Sequence, residues 1–369
     1  MRLTALETRY GGFYAPAFSA IVGGQDLVRD LFLPVTQVEV DLKQRTANRF
    51  SFTVANAFDW EAREFVAGPS EQRINLLELF AFGTRTDIAM GYGDPAKLRV
   101  MISGTITEIG TSFAEGGAPA LTISGYDGLF PLTVGQKTRH WEERRDSDVV
   151  LAIASEAKLS ATVVQTDPVK RRVDQNQQTD LDFIGKLAER NYATFLLNRD
   201  GLYFGPRRQE RSGLLELTWG QGLLSFSPQV NLAKQVTAVE VYGQPAEVGE
   251  PIVGRARRGE ETGRDTSRQS GGDRLARALG EEHVMRVRLP VHTQAEADAR
   301  ARAILRERAQ EFVQADGESV GLPDIEPDTN IALTGIGRVF SKTYYVSEAT
   351  HKVDSSGYRT TFKVEEPTV

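Results

Sequence analysis

The stretch that decides the fold lies near the end of the chain, where residues 321–364 have the sequence GLPDIEPDTNIALTGIGRVFSKTYYVSEATHKVDSSGYRTTFKV. Turn-forming glycines and prolines interrupt it at Gly321, Pro323, Pro327, Gly335, Gly337 and Gly357. Between these turns, segments rich in apolar and β-branched residues lie at 331–333, 343–349 and 359–364. Short strands separated by turns are typical of β-barrels and sandwiches.

The first third of the chain shows the same pattern. Residues 35–42 and 49–54 alternate apolar and polar side chains, which indicates strands with one buried face. Further strands are predicted at 16–22, 86–92, 98–109 and 120–124. We therefore expect a β-barrel or sandwich at each end of the chain.

The middle of the chain has the period of helices instead. Asp146 can cap a helix over the apolar run at 149–158. Thr179 and Asp182 resemble a capping box, with Asp in place of the usual Glu or Gln, and predict a second helix. We interpret residues 131–210 as a small α/β domain. The predicted fold class is thus mainly β with an α/β insertion (α+β).

The last third combines a long polar segment with a helix. Residues 243–280 are rich in glycine, arginine and glutamate and poor in large apolar residues, which predicts a long loop, mobile in the isolated chain. The arginines concentrated there include Arg255, Arg257, Arg258, Arg264, Arg268 and Arg274. The loop is either a solvated segment or a candidate docking segment that orders against an acidic partner. After it, Thr293 and Glu296 form a capping box that opens a helix at 294–316.

Composition excludes several classes of protein. The net charge of the 369 residues is -6, so nothing draws the whole chain to nucleic acid or to an anionic membrane. No apolar run reaches the roughly 20 residues that span a bilayer, and the first residues lack the pattern of a signal peptide. Cysteine is absent, which excludes disulfides and thiolate metal sites. We expect cytoplasmic synthesis and assembly, without membrane insertion or recognition of a nucleic-acid sequence.

The chain also lacks the usual motifs of enzymes. Its histidines, His140, His283, His292 and His351, are too dispersed for the ligand spacing of a metal site. A phosphate-binding loop of the form GxxxxGK[ST] is also absent. We therefore predict no catalytic, metal or cofactor-binding residue and no enzymatic activity. A pair of carboxylates drawn from distant positions, as in a glycosidase, stays open at this point.

Several motifs together resemble the phage late-control D family, which includes the hub portion of the valine-glycine repeat spike proteins of type VI secretion. The closing stretch matches that family's G-x-P-x-x-x-P turn, G-x-G-x-x-F turn, Y-Y-V strand, histidine and G-Y-x-T-x-F strand. Residues 178–191 resemble its T-D-L-D-F helix, and residues 102–109 resemble a strand of its first barrel. Asp328 departs from the family, which often has glycine after the second proline.

The residues that carry the resemblance are predicted to be structural. They are Thr179, Asp180, Asp182, Phe183, Gly321, Pro323, Pro327, Gly335, Gly337, Phe340, Tyr344, Tyr345, His351, Gly357, Tyr358 and Phe362. The tyrosines and Phe362 are expected in strands that pack a core, and the glycines and prolines in turns. His351 is expected to be a hydrogen-bonded structural histidine, because the family has no catalytic residue to transfer.

The resemblance implies a baseplate hub that forms a homotrimer. Each chain would supply two tube-like β-barrel domains, at 1–130 and 211–369, so that three chains imitate a sixfold ring. Such a ring would be a symmetry adaptor between the hexameric inner tube or its initiator protein and a trimeric spike, among other baseplate components. Because the chain ends at Val369, just after the last hub strand, we expect the spike to be a separate chain.

Other interpretations remain. The machine could be a phage tail, a tailocin, or another contractile injection system. A cell-wall hydrolase or peptidase carried at the tip of such a device is the main alternative function. A passive trimeric module that binds a host ligand is a third.

Overall fold

The computed structural model describes residues 3–68, 73–115, 117–208, 215–243, 251–261, 267–291 and 293–369. The described residues form mainly β-structure, with helices concentrated in the middle and last thirds. This confirms the predicted fold class.

The first part of the chain forms a curved antiparallel sheet. Its elements are α1 (Leu3–Arg9), β1 (Pro16–Val22), β2 (Gln25–Asp26), β3 (Val35–Lys43), β4 (Arg49–Ala55), β5 (Phe58–Asp59), β6 (Glu64–Ala67), β7 (Ile74–Asn75), α2 (Leu76–Leu79), β8 (Arg85–Tyr92), β9 (Arg99–Ser112) and β10 (Ala120–Asp127). The strands lie in the order β2-β1-β8-β9-β10-β4-β3. Alternate residues of β3 and β4 point inward, so Phe50 and Phe52 are buried in a core that α2 and Phe80 close from one side. Among the described strands, β1 and β3 do not pair, so this unit is an open curved sheet.

The middle part packs two small sheets around two helices. Its elements are β11 (Lys137–Arg144), α3 (Asp146–Glu156), β12 (Ala161–Val163), β13 (Lys170–Gln178), α4 (Asp180–Asn191), β14 (Thr194–Asn198) and β15 (Gly201–Gly205). Strand β11 pairs with β13, while β12, β15 and β14 form a second sheet. The helices bury Phe183, Phe195 and Phe204 between these sheets, which gives the unit a core of its own.

The last part contains a closed barrel and a small layered unit. Its elements are β16 (Leu215–Trp219), β17 (Gly222–Val230), β18 (Ala238–Tyr242), β19 (Val253–Arg257), α5 (Gly271–Leu279), β20 (Val284–Arg288), α6 (Gln294–Gln310), β21 (Val313–Val320), β22 (Thr329–Thr334), α7 (Gly337–Phe340), β23 (Lys342–Asp354) and β24 (Gly357–Glu366). Strands β22, β16, β17, β21, β24 and β23 pair in that order, and β23 pairs again with β22. This closes a barrel of six strands. Beside it, α6 covers one face of the sheet β19-β18-β20.

Strand β23 joins the two large β units. Its first residues pair with β22, and its later residues pair with β24 on one edge and with β3 on the other. The register against β3 sets His351 opposite Val40 and Val353 opposite Val38. Within the described residues, thirteen strands therefore form one continuous sheet that runs from the curved unit into the barrel.

The prediction of a long loop at 243–280 is wrong at two segments that the structure describes. Residues 253–257 form β19 and residues 271–279 form α5, whereas 244–250 and 262–266 lie outside the described residues. The small side chains mislead sequence reasoning here. Gly254 lies so close to α6 that a Cβ would come within 2.0 Å of the Ala297 carbonyl carbon. At Gly254, the absence of a side chain reflects tight packing against α6 and not exposure to solvent.

The helix predicted at 294–316 also needs correction, because it ends at Gln310. Residues 313–320 form β21, in which Val313, Ala315 and Gly317 face inward. Gly317 lies against the Phe362 ring, where a Cβ would be 2.3 Å from Cε2. Alternate residues of this segment pack inside the barrel, as a strand requires. This packing outweighs the helical propensity of its alanine and glutamine.

Candidate functional site

The closing motif forms a turn that lies against β24. Gly321 donates its backbone N–H to the Tyr358 carbonyl at 2.9 Å, and the Leu322 N–H donates to Thr360 Oγ1 at 2.9 Å. A Cβ on Gly321 would lie 2.0 Å from Cγ of Tyr358, so the turn can approach this closely only with glycine. Pro323 and Pro327 are buried in the same turn. The predicted turn residues thus fix the turn 321–327 to the barrel.

His351 is buried beneath this turn. Its Nε2 lies 3.0 Å from the Ile325 carbonyl, and its Nδ1 lies 2.9 Å from the Tyr358 hydroxyl and 3.1 Å from Thr360 Oγ1. A neutral ring that donates from Nε2 and accepts at Nδ1 satisfies all these contacts. Burial lowers the pKa of His351 to about 4, which favours the neutral form. The ring therefore links two strands to the turn, and the G-Y-x-T spacing supplies its partners.

The acidic side of the turn ties the barrel to the first β unit. Arg99, at the start of β9, donates to Asp324 Oδ1 at 3.1 Å and to Glu326 Oε1 at 2.6 Å. Tyr10 donates its hydroxyl to Asp324 Oδ2 at 2.8 Å, and Tyr92 donates to the Gly321 carbonyl at 2.9 Å. These contacts add side-chain links to the β3–β23 ladder, and together they hold the two units in one arrangement.

Asp328 keeps the conformation that glycine would favour. Its φ is +62°, in the left-handed region. The buried carboxylate accepts from the Tyr345 hydroxyl at 2.8 Å and from the Arg208 backbone N–H at 2.9 Å. Burial raises the pKa of Asp328, and these donors and the Arg208 guanidinium oppose that shift. The aspartate thus adopts a backbone conformation that glycine adopts readily, and it adds contacts that glycine lacks.

The second motif fastens α4 to the β11–β13 sheet. Thr179 caps the helix, since its Oγ1 accepts from the Asp182 N–H at 3.1 Å. Asp180 accepts from Lys137 Nζ at 2.6 Å and from Arg139 at 2.8 Å. Phe183 is fully buried and stacks on Trp141 at 5.8 Å. Each residue of this motif has a structural contact that explains its type.

The remaining motif residues shape the barrel. Gly335, Gly337 and Gly357 all have positive φ in turns between strands. Tyr344 is fully buried, and its hydroxyl donates to the Phe340 carbonyl at 2.9 Å. The turn 321–327, His351 and Tyr358 thus meet where the barrel contacts the first β unit, and we call this region the joint. The T-D-L-D-F motif lies in the middle unit.

The predicted docking arginines are dispersed over several elements. Arg255 and Arg257 lie on β19, Arg274 lies on α5, and Arg264 is outside the described residues. Arg258 donates to Glu282 at 2.8 Å. Arg268 donates to the carbonyls of Val339 at 2.8 Å and Ser341 at 3.0 Å. Arg268 thus has a structural role at the end of α7, and the described arginines of this group lie on separate elements.

Sequence reasoning missed that some of these arginines share a flat sheet face. Arg286 and Arg288 on β20 point to the same side as Arg255 and Arg257 on β19, with Glu240 of β18 between them. Glu240 pairs with Arg255 at 3.5 Å and with Arg286 at 3.2 Å. The alternating residues of VMRVR at 284–288 were the signal that could have revealed this basic face.

The carboxylates of the described residues are engaged in structural contacts where they are buried. Asp127 lies in a cleft of about 410 Å³. It accepts from the Asn48 side chain at 2.7 Å and from the Leu129 N–H at 2.9 Å. Burial raises its pKa to about 6.

Among the described residues, no group of three or more His, Asp or Glu is placed to hold a metal ion. No helix formed by these residues is long and apolar enough to cross a membrane.

Solved structures with the same fold are phage tail and secretion proteins. A 43 kDa tail protein of prophage MuSo2 from Shewanella oneidensis is 12% identical, with a TM-score of 0.67 over 96% of this chain and 99% of that one. A tail protein from Neisseria meningitidis is 13% identical, with the same TM-score over 96% and 97% of the two chains. A component of the type VI secretion system of E. coli is 14% identical, with a TM-score of 0.57 over 95% and 77%.

The resemblance to phage tail and type VI proteins is therefore confirmed at the level of the fold. No curated protein matches the chain significantly by sequence. The family model described as the Alg8 N-terminal domain matches residues 19–355. Because this match spans most of its length, the chain belongs to the Alg8 N-terminal domain family.

Proposed function

We propose that the protein is the structural hub of a phage-tail or contractile-injection baseplate, in which three copies join a hexameric inner tube to a trimeric spike. The observation that carries this proposal is the sheet that continues through β23 from the curved unit into the closed barrel. Each chain thereby contains two large β units, so three chains would present six. The six β units can match a sixfold partner, and the three chains can match a threefold partner.

The joint around residues 321–327 supports the same proposal. An adaptor has to hold its two units in a fixed relation, because each unit contacts a different partner position. Arg99 and Tyr92 cross from the first unit to this turn, and neither contact requires a ligand. The fold shared with tail proteins of two bacteria is further support.

The mass of the purified chain in solution tests the trimer. We expect three times the mass of one chain by native mass spectrometry, and three copies in each isolated particle. The trimer should also capture a separate spike protein and a tube or tube-initiator protein from the same particle. A chain that stays monomeric at all concentrations, or a trimer that binds neither partner, would contradict the proposal.

A peptidoglycan zymogram tests the alternative of a cell-wall hydrolase. A purified hub should leave the peptidoglycan intact. Clearing that disappears on substitution of a single carboxylate would support the hydrolase and remove the structural proposal as the main function.

A further inference from the structure

A large cleft lies between the middle unit and α6. Its volume is about 760 Å³, within the range of roughly 300–1,000 Å³ typical of binding sites. One wall is the alanine face of α6, formed by Ala295, Ala299 and Ala303, and the opposite wall includes Val164 and Val169. Both valines are more than 40% exposed, so an apolar surface is left open to solvent.

Two arginines project into this cleft without a carboxylate partner. The Arg300 guanidinium lies 5.5 Å from the centre of the Tyr192 ring, and Arg306 donates to the Tyr192 carbonyl at 3.1 Å. Neither guanidinium forms a salt bridge with a described residue, although the carboxylates of Asp167 and Glu296 also line the cleft. Burial lowers the pKa of both arginines, as expected for cations removed from water. The cleft therefore suits an occupant that combines apolar groups with negative charge.

The chain itself carries such a group at the far end of its first β unit. Phe58 contacts the rings of Trp60 at 5.3 Å, Phe65 at 5.1 Å and Phe113 at 5.4 Å. Trp60 is 70% exposed and Phe113 is 62% exposed. We call these four residues the aromatic tip. Exposed aromatic clusters of this kind mark interaction surfaces.

Acidic residues surround the aromatic tip. They are Glu61, Glu64 and Glu115, all exposed, and no ion pair to a described residue satisfies any of them; the same turn also carries one exposed cation, Arg63. Asp59 is already paired with Arg73 at 2.6 Å. The tip thus offers exposed aromatic rings and carboxylates, which match the apolar walls and the arginines of the cleft.

The tip and the cleft of one chain cannot meet each other. Strand β10 runs from Ala120, beside the tip, to Asp127, which contacts Asn48 at the middle unit. At about 3.3 Å a residue, this strand alone separates the two ends by roughly 23 Å. At the far end, Arg45 donates to the Ala193 carbonyl in the cleft wall at 2.9 Å. An occupant with the chemistry of the tip must therefore come from another molecule.

We propose that the cleft of one copy receives the aromatic tip of the next copy, with Trp60 and Phe113 against its alanine and valine walls and the tip glutamates beside Arg300 and Arg306. This inference rests on the proposed homotrimer. An interface of this kind joins two different surfaces, as a closed ring requires, and it repeats at every contact between neighbours.

Cross-linking tests the proposal cleanly, because the chain contains no cysteine. The double variant Ala62→Cys and Ala299→Cys places one thiol at the tip and one in the cleft, both at exposed alanines. A short bis-maleimide should convert it into a covalent trimer that resists denaturation. The matched control, Ala96→Cys with Ala299→Cys, should give no covalent trimer, since Ala96 is exposed but distant from the tip.

Charge reversal gives an independent measurement. Arg300→Glu with Arg306→Glu should weaken self-association at least tenfold, and Glu61→Arg with Glu115→Arg should restore it. Arg302→Glu, on the exposed side of α6, should leave it unchanged. A trimer that does not cross-link and tolerates the charge reversal would overturn the tip-in-cleft contact and leave the proposed hub intact. A persistent monomer, or a cleft thiol that links to a different protein in the particle, would also overturn it.

Discussion

At Gly321, the backbone lies directly on the Tyr358 ring, so the substitution Gly321→Ala should be severely destabilising. The added Cβ would overlap Cγ at 2.0 Å, and the ring cannot move because it is buried and hydrogen-bonded to His351. We expect a loss of about 3 kcal/mol in the free energy of unfolding, measured by denaturant titration. Gly110→Ala is the control, because its Cβ would be 3.7 Å from the Thr122 carbonyl, an ordinary contact. Equal stability of both variants would contradict the close approach described above.

His351 makes the stability of the fold depend on pH. Burial depresses its pKa to about 4, below its ordinary value of 6.5. The stabilisation is therefore complete above pH 6.5 and is lost as the pH falls towards 4, because only the unfolded chain then takes up the proton. The difference corresponds to about 3 kcal/mol. His351→Gln should be less stable at pH 7.5 and should lose less stability between pH 7 and 4, as measured by urea unfolding. A parallel loss in both proteins would exclude this role of the histidine.

At the scale of the element, Asp180 fastens one helix to one sheet. Although burial opposes its ionisation, hydrogen bonds from Lys137 and Gln175 hold the pKa of Asp180 below its ordinary value. Asp180→Asn should loosen the β11–β13 sheet, because Lys137 and Arg139 lose their anionic partner. We expect roughly tenfold faster amide hydrogen exchange at 137–144, and unchanged exchange in β23 and β24.

Asp174→Asn is the matched control for that experiment. Asp174 lies on the same sheet and pairs with Arg172 at 2.7 Å, but both side chains are exposed. Exposed ion pairs contribute little to stability, so exchange at 137–144 should stay close to that of the unchanged protein. Faster exchange in both variants would show that any charge change loosens the sheet.

The elements that sequence reasoning predicted well are those whose signal is local. Thr179 caps α4 as the spacing to Asp182 predicts, and the closing turns appear at Gly335 and Gly337. Strand β19 was missed because its inward residues, Gly254 and Ala256, are small where α6 lies against them. The small size of these residues is explained by their contact with α6, which is distant in the chain. A single sequence does not reveal that contact.

At the scale of the whole molecule, sequence reasoning predicted two β units but not how they join. Nothing in the alternation of β3 or β23 indicates that they pair, because their residues are more than 300 positions apart. The same holds for Arg99 and Asp324, which are 225 positions apart. The aromatic tip and the cleft were also missed, because each assembles residues from separate segments.

The shared strand has a mechanical consequence. A force applied along these strands would load the ladder from Glu348 to Val353 all at once instead of opening it bond by bond. A shift of the β3–β23 register by one residue would turn the His351 ring and its neighbours towards water, so the shifted pairing would be unstable. Under such a force the molecule should therefore transmit the load from one unit to the other as a stiff strut.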